Sequence, residues 1–161
     1  MNEQIINFFS GLSNEWLVII LSAMPVSELR GAIPLGIVLN LTPIKVFLLS
    51  ILGNMTPVLP LLYLLEPVSE RLRKFGIARK FFDWLFARTK KRADLIEKYE
   101  LLGLALFVAV PLPMTGAWTG CIAASLFKLN KKRSFFAVFA GVLIAAMIVM
   151  SVTLGAKAGM K

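Results

Sequence analysis

An uncharged stretch of 27 residues, Leu101–Phe127, constrains this chain more than any other feature. As one unbroken helix it would be about 40 Å long, whereas the hydrocarbon core of a bilayer is about 30 Å thick. Its centre reads VPLPMTGAWTG, in which Pro111, Pro113, Gly116 and Gly120 disfavour a continuous helix. The stretch is therefore apolar enough for a membrane, but too long and too interrupted for one simple span.

Basic residues lie on both sides of this stretch. Of the 18 Lys and Arg residues, ten lie in 66–100 and four lie in 128–133. Basic residues accumulate in the cytoplasmic loops of membrane proteins, so both loops are predicted to be cytoplasmic. A segment that starts and ends on one side cannot cross once, which predicts a re-entrant hairpin at 101–127; a single tilted, proline-kinked span is the alternative. The two half-helices are predicted at Leu101 to about Val110 and at about Thr115 to Phe127.

A similar segment, 16–41, lies earlier in the chain. It is apolar at both ends and interrupted near its middle by MPVSELRGAIPLG, and few basic residues flank it, so this hairpin is predicted to enter from outside. A full-length apolar segment follows each hairpin, at 44–65 and at 134–156, and these are the two predicted spans. The residues predicted to break the two hairpins are Pro25, Pro34, Gly36, Pro111, Pro113 and Gly120.

The two halves of the chain align as internal repeats. Arg30-Gly31-Ala32 matches Thr115-Gly116-Ala117 at an offset of 85 residues, and Gly53 matches Gly141 at an offset of 88. The predicted spans run in opposite directions, so the repeats are predicted to be inverted, as in many secondary transporters.

The segment between the repeats, 66–100, places Leu and Phe residues near helical spacing among basic residues, which predicts an amphipathic helical connector on the cytoplasmic membrane surface. The predicted fold is therefore an all-α integral membrane protein with one domain, 1–161. It contains a first repeat at 16–65, the connector, and a second repeat at 101–156.

Glu28 and Arg30 are the only charged residues between Glu15 and Lys45, and the hairpin places both near the bilayer midplane. A charged side chain at that depth costs about 2.5–3.5 kcal/mol even on lenient scales, so such residues are candidates for function. The alternative is a structural pair in which the two side chains neutralise each other.

These residues predict an anion site. Helices that begin near Ser27 or Gly31 and near Thr115 would present backbone N–H groups, and the planar guanidinium of Arg30 suits phosphate. Glu28 is predicted to couple a proton or a cation. For the neutral side chains, hydrogen bonding within or between helices is an equally open alternative. The predicted substrate-binding residues are Arg30, Gly31, Asn54, Thr115, Gly116 and Thr119.

Composition disfavours several other classes of function. There is no histidine and one cysteine, Cys121, so the usual zinc and haem ligands are missing, and neither a metal nor another cofactor is predicted. The net charge of +9 is concentrated in the membrane-flanking loops, so nucleic-acid binding is not predicted. The aspartates, Asp83 and Asp94, lie in the connector, and no nucleophile has a plausible base beside it, so the chain is not predicted to be an enzyme.

The motifs SELRGAIPLG, LGNMTPVLP and VPLPMTGAWTG resemble the bacterial and archaeal family named putative small multidrug export proteins, over essentially the whole length. The architecture is more remotely similar to the DedA superfamily of lipid transporters, whose first hairpin carries an acidic residue near a Pro/Gly break. The second hairpin of that superfamily usually carries arginines, whereas this chain has Thr115 and Thr119 there. The resemblance implies a multi-pass protein of a prokaryotic inner membrane.

Three functions follow from these observations. The first is translocation of a phosphorylated lipid, a polyprenyl phosphate or a phospholipid, through a midplane site between the hairpins, with proton or cation coupling. The second is efflux of cationic small molecules through Glu28, and the third is a non-transporting role as a membrane partner protein. Two spans cannot shield two polar hairpins from lipid, so a homodimer or larger assembly is predicted.

Overall fold

The computed structural model describes residues 13–72, 80, 83–84, 87, 94–110 and 115–159. Every regular element within these residues is an α-helix, which confirms the all-α class. Residues 73–79 and most of 81–93 of the predicted connector lie outside the described residues, as do Pro111 and Pro113. The helices are α1 (Asn14–Ala23), α2 (Glu28–Val38), α3 (Pro43–Met55), α4 (Val58–Leu72), α5 (Asp94–Ala109), α6 (Ala117–Leu126) and α7 (Lys131–Gly159).

Two helical stretches of the described chain are long and apolar enough to cross a membrane. They are Pro43–Leu65, with 23 residues, and Lys131–Gly159, with 29 residues. The helices α1 and α2 have 10 and 11 residues, so each is about 15 Å long, or about half the thickness of a hydrocarbon core. These lengths agree with the predicted combination of full spans and half-helices.

The chain forms two compact units. The first unit contains 1–56 together with 146–161, and the second unit contains 57–145. The first boundary divides the predicted span 44–65, because a turn at Thr56 and Pro57 separates α3 from α4. Pro57 has no N–H to continue the hydrogen-bond ladder of α3, which accounts for the interruption at this position.

In the first unit, α1 and α2 form a helical hairpin that packs on α3. The salt bridge between Lys45 Nζ and Glu15 Oε1, at 2.7 Å, joins the beginnings of α3 and α1. At the end of α2, Lys157 Nζ of α7 donates a hydrogen bond to the Ile37 carbonyl oxygen at 3.3 Å. The apolar core contains Val18, Leu29, Ala32, Ile33 and Val46.

The turn of this hairpin lies earlier than two of the predicted break residues. It contains Pro25 and covers 24–27, whereas Pro34 and Gly36 lie inside α2. Gly36 allows a close helix contact, because a Cβ atom there would lie 2.7 Å from a methyl group of Val46. Packing along the buried face of α2 therefore holds the helix through both residues.

In the second unit, α6 packs against both α4 and α5. The helix α5 has a kink at Glu100, where φ is 46°, and its apolar part, Tyr99–Ala109, begins at this kink and includes it. Gly120 is predicted as a hairpin break but lies inside α6, where a Cβ atom would be 2.6 Å from a methyl group of Val108. The small side chain serves close packing at this position, and the helix continues through it.

The two units share local geometry at an offset of 88 residues. Asn40 and Lys128 lie just after the ends of α2 and α6, and their φ angles are 59° and 52°. In both turns the N–H of the following residue donates to the carbonyl oxygen five residues before it. The two bonds are Leu41 N–H to Gly36, at 3.1 Å, and Leu129 N–H to Ala124, at 2.9 Å. The hydroxyls of Ser27 and Thr115 close the turns before α2 and α6 by donating to carbonyl oxygens of the preceding helices, at 2.6 and 2.7 Å.

The hydrogen-bonded turns thus pair Ser27 with Thr115 and Asn40 with Lys128 at 88 residues, three more than the offset of 85 in the sequence alignment of the hairpins. At the offset of 88, Arg30 corresponds to Trp118 and Glu28 corresponds to Gly116. The contacts of Gly53 and Gly141 pair α1 with α5 at an offset of 86. Gly53 lies against the carbonyl oxygen of Ile19, and a Cβ atom at Gly141 would lie 2.6 Å from the carbonyl oxygen of Ala105, which is 86 residues after Ile19.

Candidate functional site

Glu28 lies at the tip of the first hairpin, immediately after the turn. Its N–H donates to the Met24 carbonyl oxygen at 3.0 Å, and the residue is only 7% exposed. Its φ of 47° is in the left-handed region, which costs a residue with a side chain on the order of 1 kcal/mol or more. The corresponding residue of the second unit is Gly116. Glu28 thus combines low exposure with a left-handed backbone, and its role in function stays a prediction.

Arg30 lies in the first turn of α2 and is half-buried. The Glu28 carboxylate acts electrostatically on its guanidinium, although residues two apart do not share a face within a regular helix. Because φ of Glu28 is in the left-handed region, the backbone between Glu28 and Arg30 departs from regular helix geometry, so the usual rule for residues two apart does not apply here. The hairpin tip thus contains an acidic and a basic residue within one helical turn, and both the functional and the structural interpretation of this pair stay predictions.

The i→i−4 hydrogen bonds at the starts of α2 and α6 involve Gly31 and Gly120. Gly31 N–H donates to the Ser27 carbonyl oxygen at 3.0 Å, so this amide is already used by the helix. In α6, Gly120 N–H likewise donates to the oxygen of Gly116, at 2.8 Å. The use of N–H groups that precede Gly31 and Gly120 in binding an anion stays a prediction.

Asn54 belongs to a buried polar cluster that we define as Ser22, Ser50 and Asn54. The Ser22 hydroxyl donates to the carbonyl oxygen of Ser50, which joins α1 to α3. The Ser50 Oγ and Asn54 Oδ1 atoms are buried without a hydrogen-bond partner, and Asn54 is 1% exposed. Each unsatisfied buried polar atom costs about 1–3 kcal/mol. A buried polar atom without a partner calls for an explanation, such as a bound water or ion or a role in function.

The second unit has valines where the first unit has this polar cluster. At the offsets of the two repeats, Ser22 corresponds to Val108, Ser50 to Val138, and Asn54 to Val142, and all three valines are buried. Apolar side chains thus occupy the buried positions of the second unit that are polar in the first. The sequence analysis named Asn54 and neither Ser22 nor Ser50. An offset of 88 pairs Ser50 with Val138, whereas Ser22 pairs with Val108 only at an offset of 86.

The predicted site residues of the second hairpin mainly stabilise their own backbone. Thr115 Oγ1 donates to the Val110 carbonyl oxygen at 2.7 Å, and Thr119 Oγ1 donates to the Gly116 oxygen at 3.3 Å. This is the hydrogen bonding to helix carbonyls that was left open as an alternative. Either hydroxyl would have to rotate before it could donate to a substrate.

Comparison with known proteins identifies a family. The family model described as "Putative small multi-drug export protein" matches residues 28–148, which is more than half of the chain. The match begins at Glu28 and includes Arg30, Asn54 and the whole second hairpin. A search of the curated proteins and a search of the solved structures found no match.

Proposed function

Because the chain belongs to the small multidrug export family, we propose that it is a membrane transporter, and that its substrate is a phosphorylated lipid. The observation that carries the proposal is the pair of Glu28 and Arg30 at the tip of a half-length helical hairpin. A cationic drug would be repelled by Arg30, whereas the phosphate of a lipid head group matches the guanidinium. The lipid tails could remain in the bilayer during translocation.

The polar cluster supports a site in the first unit. Ser50 and Asn54 carry unsatisfied oxygen atoms, and Ser22 lies in the last turn of α1, directly before the turn that leads to Glu28. A transported polar head group, with its water, would satisfy these atoms in passing. The valines of the second unit could not.

The pair of charges also suggests how transport is coupled. While the site is empty, Arg30 partly neutralises the buried Glu28 carboxylate. A phosphate that binds the guanidinium leaves the carboxylate without its cation, and an unpaired buried charge is costly. Glu28 would then take up a proton as phosphate binds, so that an anion and a proton move together.

We further propose that the two units are inverted repeats of a re-entrant hairpin and a span. The shared turn geometry at an offset of 88 and the helix lengths of about half a bilayer support this architecture. In this proposal the second hairpin, with threonines in place of charges, is a scaffold that complements the charged first hairpin.

Reconstituted vesicles test the substrate class. Arg30→Ala is expected to abolish movement of a fluorescent phosphorylated lipid, and Arg30→Lys to restore part of it, because an ammonium keeps the charge and loses the planar fork. Glu28→Gln is expected to retain lipid binding and lose the pH dependence of transport. Lys45→Ala, in the same unit and far along the chain from the hairpin tip, is the charge control and should leave transport intact.

The same vesicles distinguish the alternative functions. For a cationic drug, Glu28→Gln would abolish binding while Arg30→Ala would leave it unchanged or strengthen it. Full lipid movement by Arg30→Ala would contradict the phosphate proposal. Absence of transport of either ligand class by the unmodified protein would favour a partner protein.

A further inference from the structure

A cavity of about 150 Å³ lies in the second unit, between α4, the end of α6 and the start of α7. It is separate in sequence from the hairpin tips and contains none of the residues proposed for transport. Its lining combines two lysines with apolar and small side chains: Leu62, Ala124, Ser125, Lys128, Leu129 and Lys131.

The charge of this cavity is strongly positive for its size. Lys128 is exposed, and Lys131 Nζ lies 5.7 Å from the centre of the Tyr63 ring, which keeps this ammonium beside α4. No acidic residue follows Glu100 in the sequence, so the basic loop 128–133 has no compensating neighbour along the chain. An anion is therefore the complementary ligand.

The location of the cavity indicates which kind of anion would bind there. The apolar 29-residue helix α7 begins at Lys131, so in the proposed topology the cavity lies at the membrane surface. On α4, Leu59 and Tyr63 are one turn apart and 50% and 46% exposed, and Lys131 lies over Tyr63. An exposed apolar face thus adjoins a basic cavity, which matches the two parts of a phospholipid.

We propose that this cavity binds an anionic phospholipid. The phosphate lies between the ammonium groups of Lys128 and Lys131, the glycerol region contacts Leu62 and Leu129, and an acyl chain follows the face of Leu59 and Tyr63. The bound lipid bridges α4, α6 and α7, and so stabilises the second unit.

Native mass spectrometry and thermal unfolding of the purified full-length chain test this site, with added phosphatidylglycerol as the probe and phosphatidylcholine as the neutral comparison. Lys128→Gly and Lys131→Ala are each expected to reduce phosphatidylglycerol retention by roughly fivefold, because a basic residue near a membrane surface contributes on the order of 1 kcal/mol. Lys128 has φ of 52°, so glycine suits its backbone and should preserve the fold.

Lys132→Ala is the matched control, because Lys132 follows Lys131 in the first turn of α7 and does not line the cavity. It should retain the phosphatidylglycerol and the thermal stabilisation that accompanies it. Equal losses in Lys132→Ala and Lys128→Gly would show a diffuse charged surface and overturn the proposal. Equal retention of phosphatidylcholine would overturn it too, as would equally strong stabilisation by soluble glycerol phosphate. None of these outcomes depends on Arg30 or on transport, so failure here leaves the proposed function untouched.

Discussion

At the scale of single residues, the two halves of the chain provide their own comparison. At the offset of 88, the polar residues Asn54 and Ser50 of the first unit correspond to Val142 and Val138 of the second. The reverse holds for Ser134 of the second unit, which corresponds to Val46 of the first. Ser134 Oγ, like Ser50 Oγ, is buried without a hydrogen-bond partner. Substitution by valine should therefore distinguish buried polar side chains that transport requires from those that it does not require.

This comparison gives a prediction for substitution by valine. Asn54→Val is expected to raise the free energy of unfolding by on the order of 1 kcal/mol, because it removes an unsatisfied buried atom, and to impair lipid transport. Ser134→Val should stabilise similarly and leave transport unchanged. Denaturant unfolding in detergent and the vesicle assay measure the two effects. Intact transport in Asn54→Val would remove the cluster from the proposed site.

The pair of Glu15 and Lys45 predicts a pH dependence outside the hairpin tip. The hydrogen bond from Lys45 Nζ lowers the pKa of the Glu15 carboxyl from 4.5 to about 2. Because the folded pKa is the lower one, the pair contributes fully above about pH 4.5, and its contribution is lost as the pH falls toward 2. The contribution is small, since the pair is exposed.

Thermal unfolding of the unmodified protein and of Lys45→Gln checks this dependence. The difference between their unfolding temperatures should be greatest near neutral pH and shrink steadily below pH 4.5. A difference that stays constant from pH 7 to pH 2.5 would show that this ion pair does not stabilise the folded chain.

At the scale of helices, glycines set how closely the elements approach. Cβ atoms at Gly53 and Gly141 would meet backbone oxygens of α1 and α5, whereas nothing lies within 4 Å of one at Gly155. Gly53→Ala and Gly141→Ala are expected to destabilise by about 1–3 kcal/mol, because backbone atoms cannot move aside as side chains can.

Gly155→Ala is the control on α7. It should be neutral or stabilise by up to about 1 kcal/mol, because alanine has the higher helix propensity. Denaturant unfolding measures all three variants. Neutral behaviour of both Gly53→Ala and Gly141→Ala would mean that the helices are less closely packed than described.

Helices and their approximate ends could be predicted from hydropathy and charge alone, because α1, α2, α6 and α7 are apolar segments bounded by polar turns. The exact breaks could not. Pro34, Gly36 and Gly120 are local helix breakers, but all three lie inside helices, and Gly36 and Gly120 pack closely against Val46 and Val108. Tertiary packing overrides local propensity at these positions.

The candidate site was predictable in its charges and less so in its neutral groups. Glu28 and Arg30 stand out because charges are rare in apolar segments. Ser22 and Ser50 do not, since serine is common in membrane helices; only the structure shows that both are buried, that Ser22 donates to the Ser50 carbonyl oxygen and that Ser50 Oγ has no hydrogen-bond partner. The hydrogen bonds that use Thr115 and Thr119 likewise depend on backbone geometry that spacing alone does not give.

At the scale of the whole molecule, the proposals rest on one topology: two re-entrant hairpins, two spans, and both basic loops in the cytoplasm. The same topology leaves polar hairpin tips without enough spans to cover them, which is why we also propose a homodimer or a larger assembly. Every functional assignment to Glu28 and Arg30 requires that the first hairpin end near the middle of the bilayer.

Cysteine labelling on both sides of the second hairpin tests this topology most directly. Cys121 is buried, and Cys121→Ala gives a background in which Lys98→Cys and Lys128→Cys can be labelled singly. In intact cells, a membrane-impermeant maleimide should label neither position, and after permeabilisation of the inner membrane it should label both. Labelling of one position from outside and the other only from inside would show that 101–127 crosses the membrane once, and would contradict the re-entrant architecture.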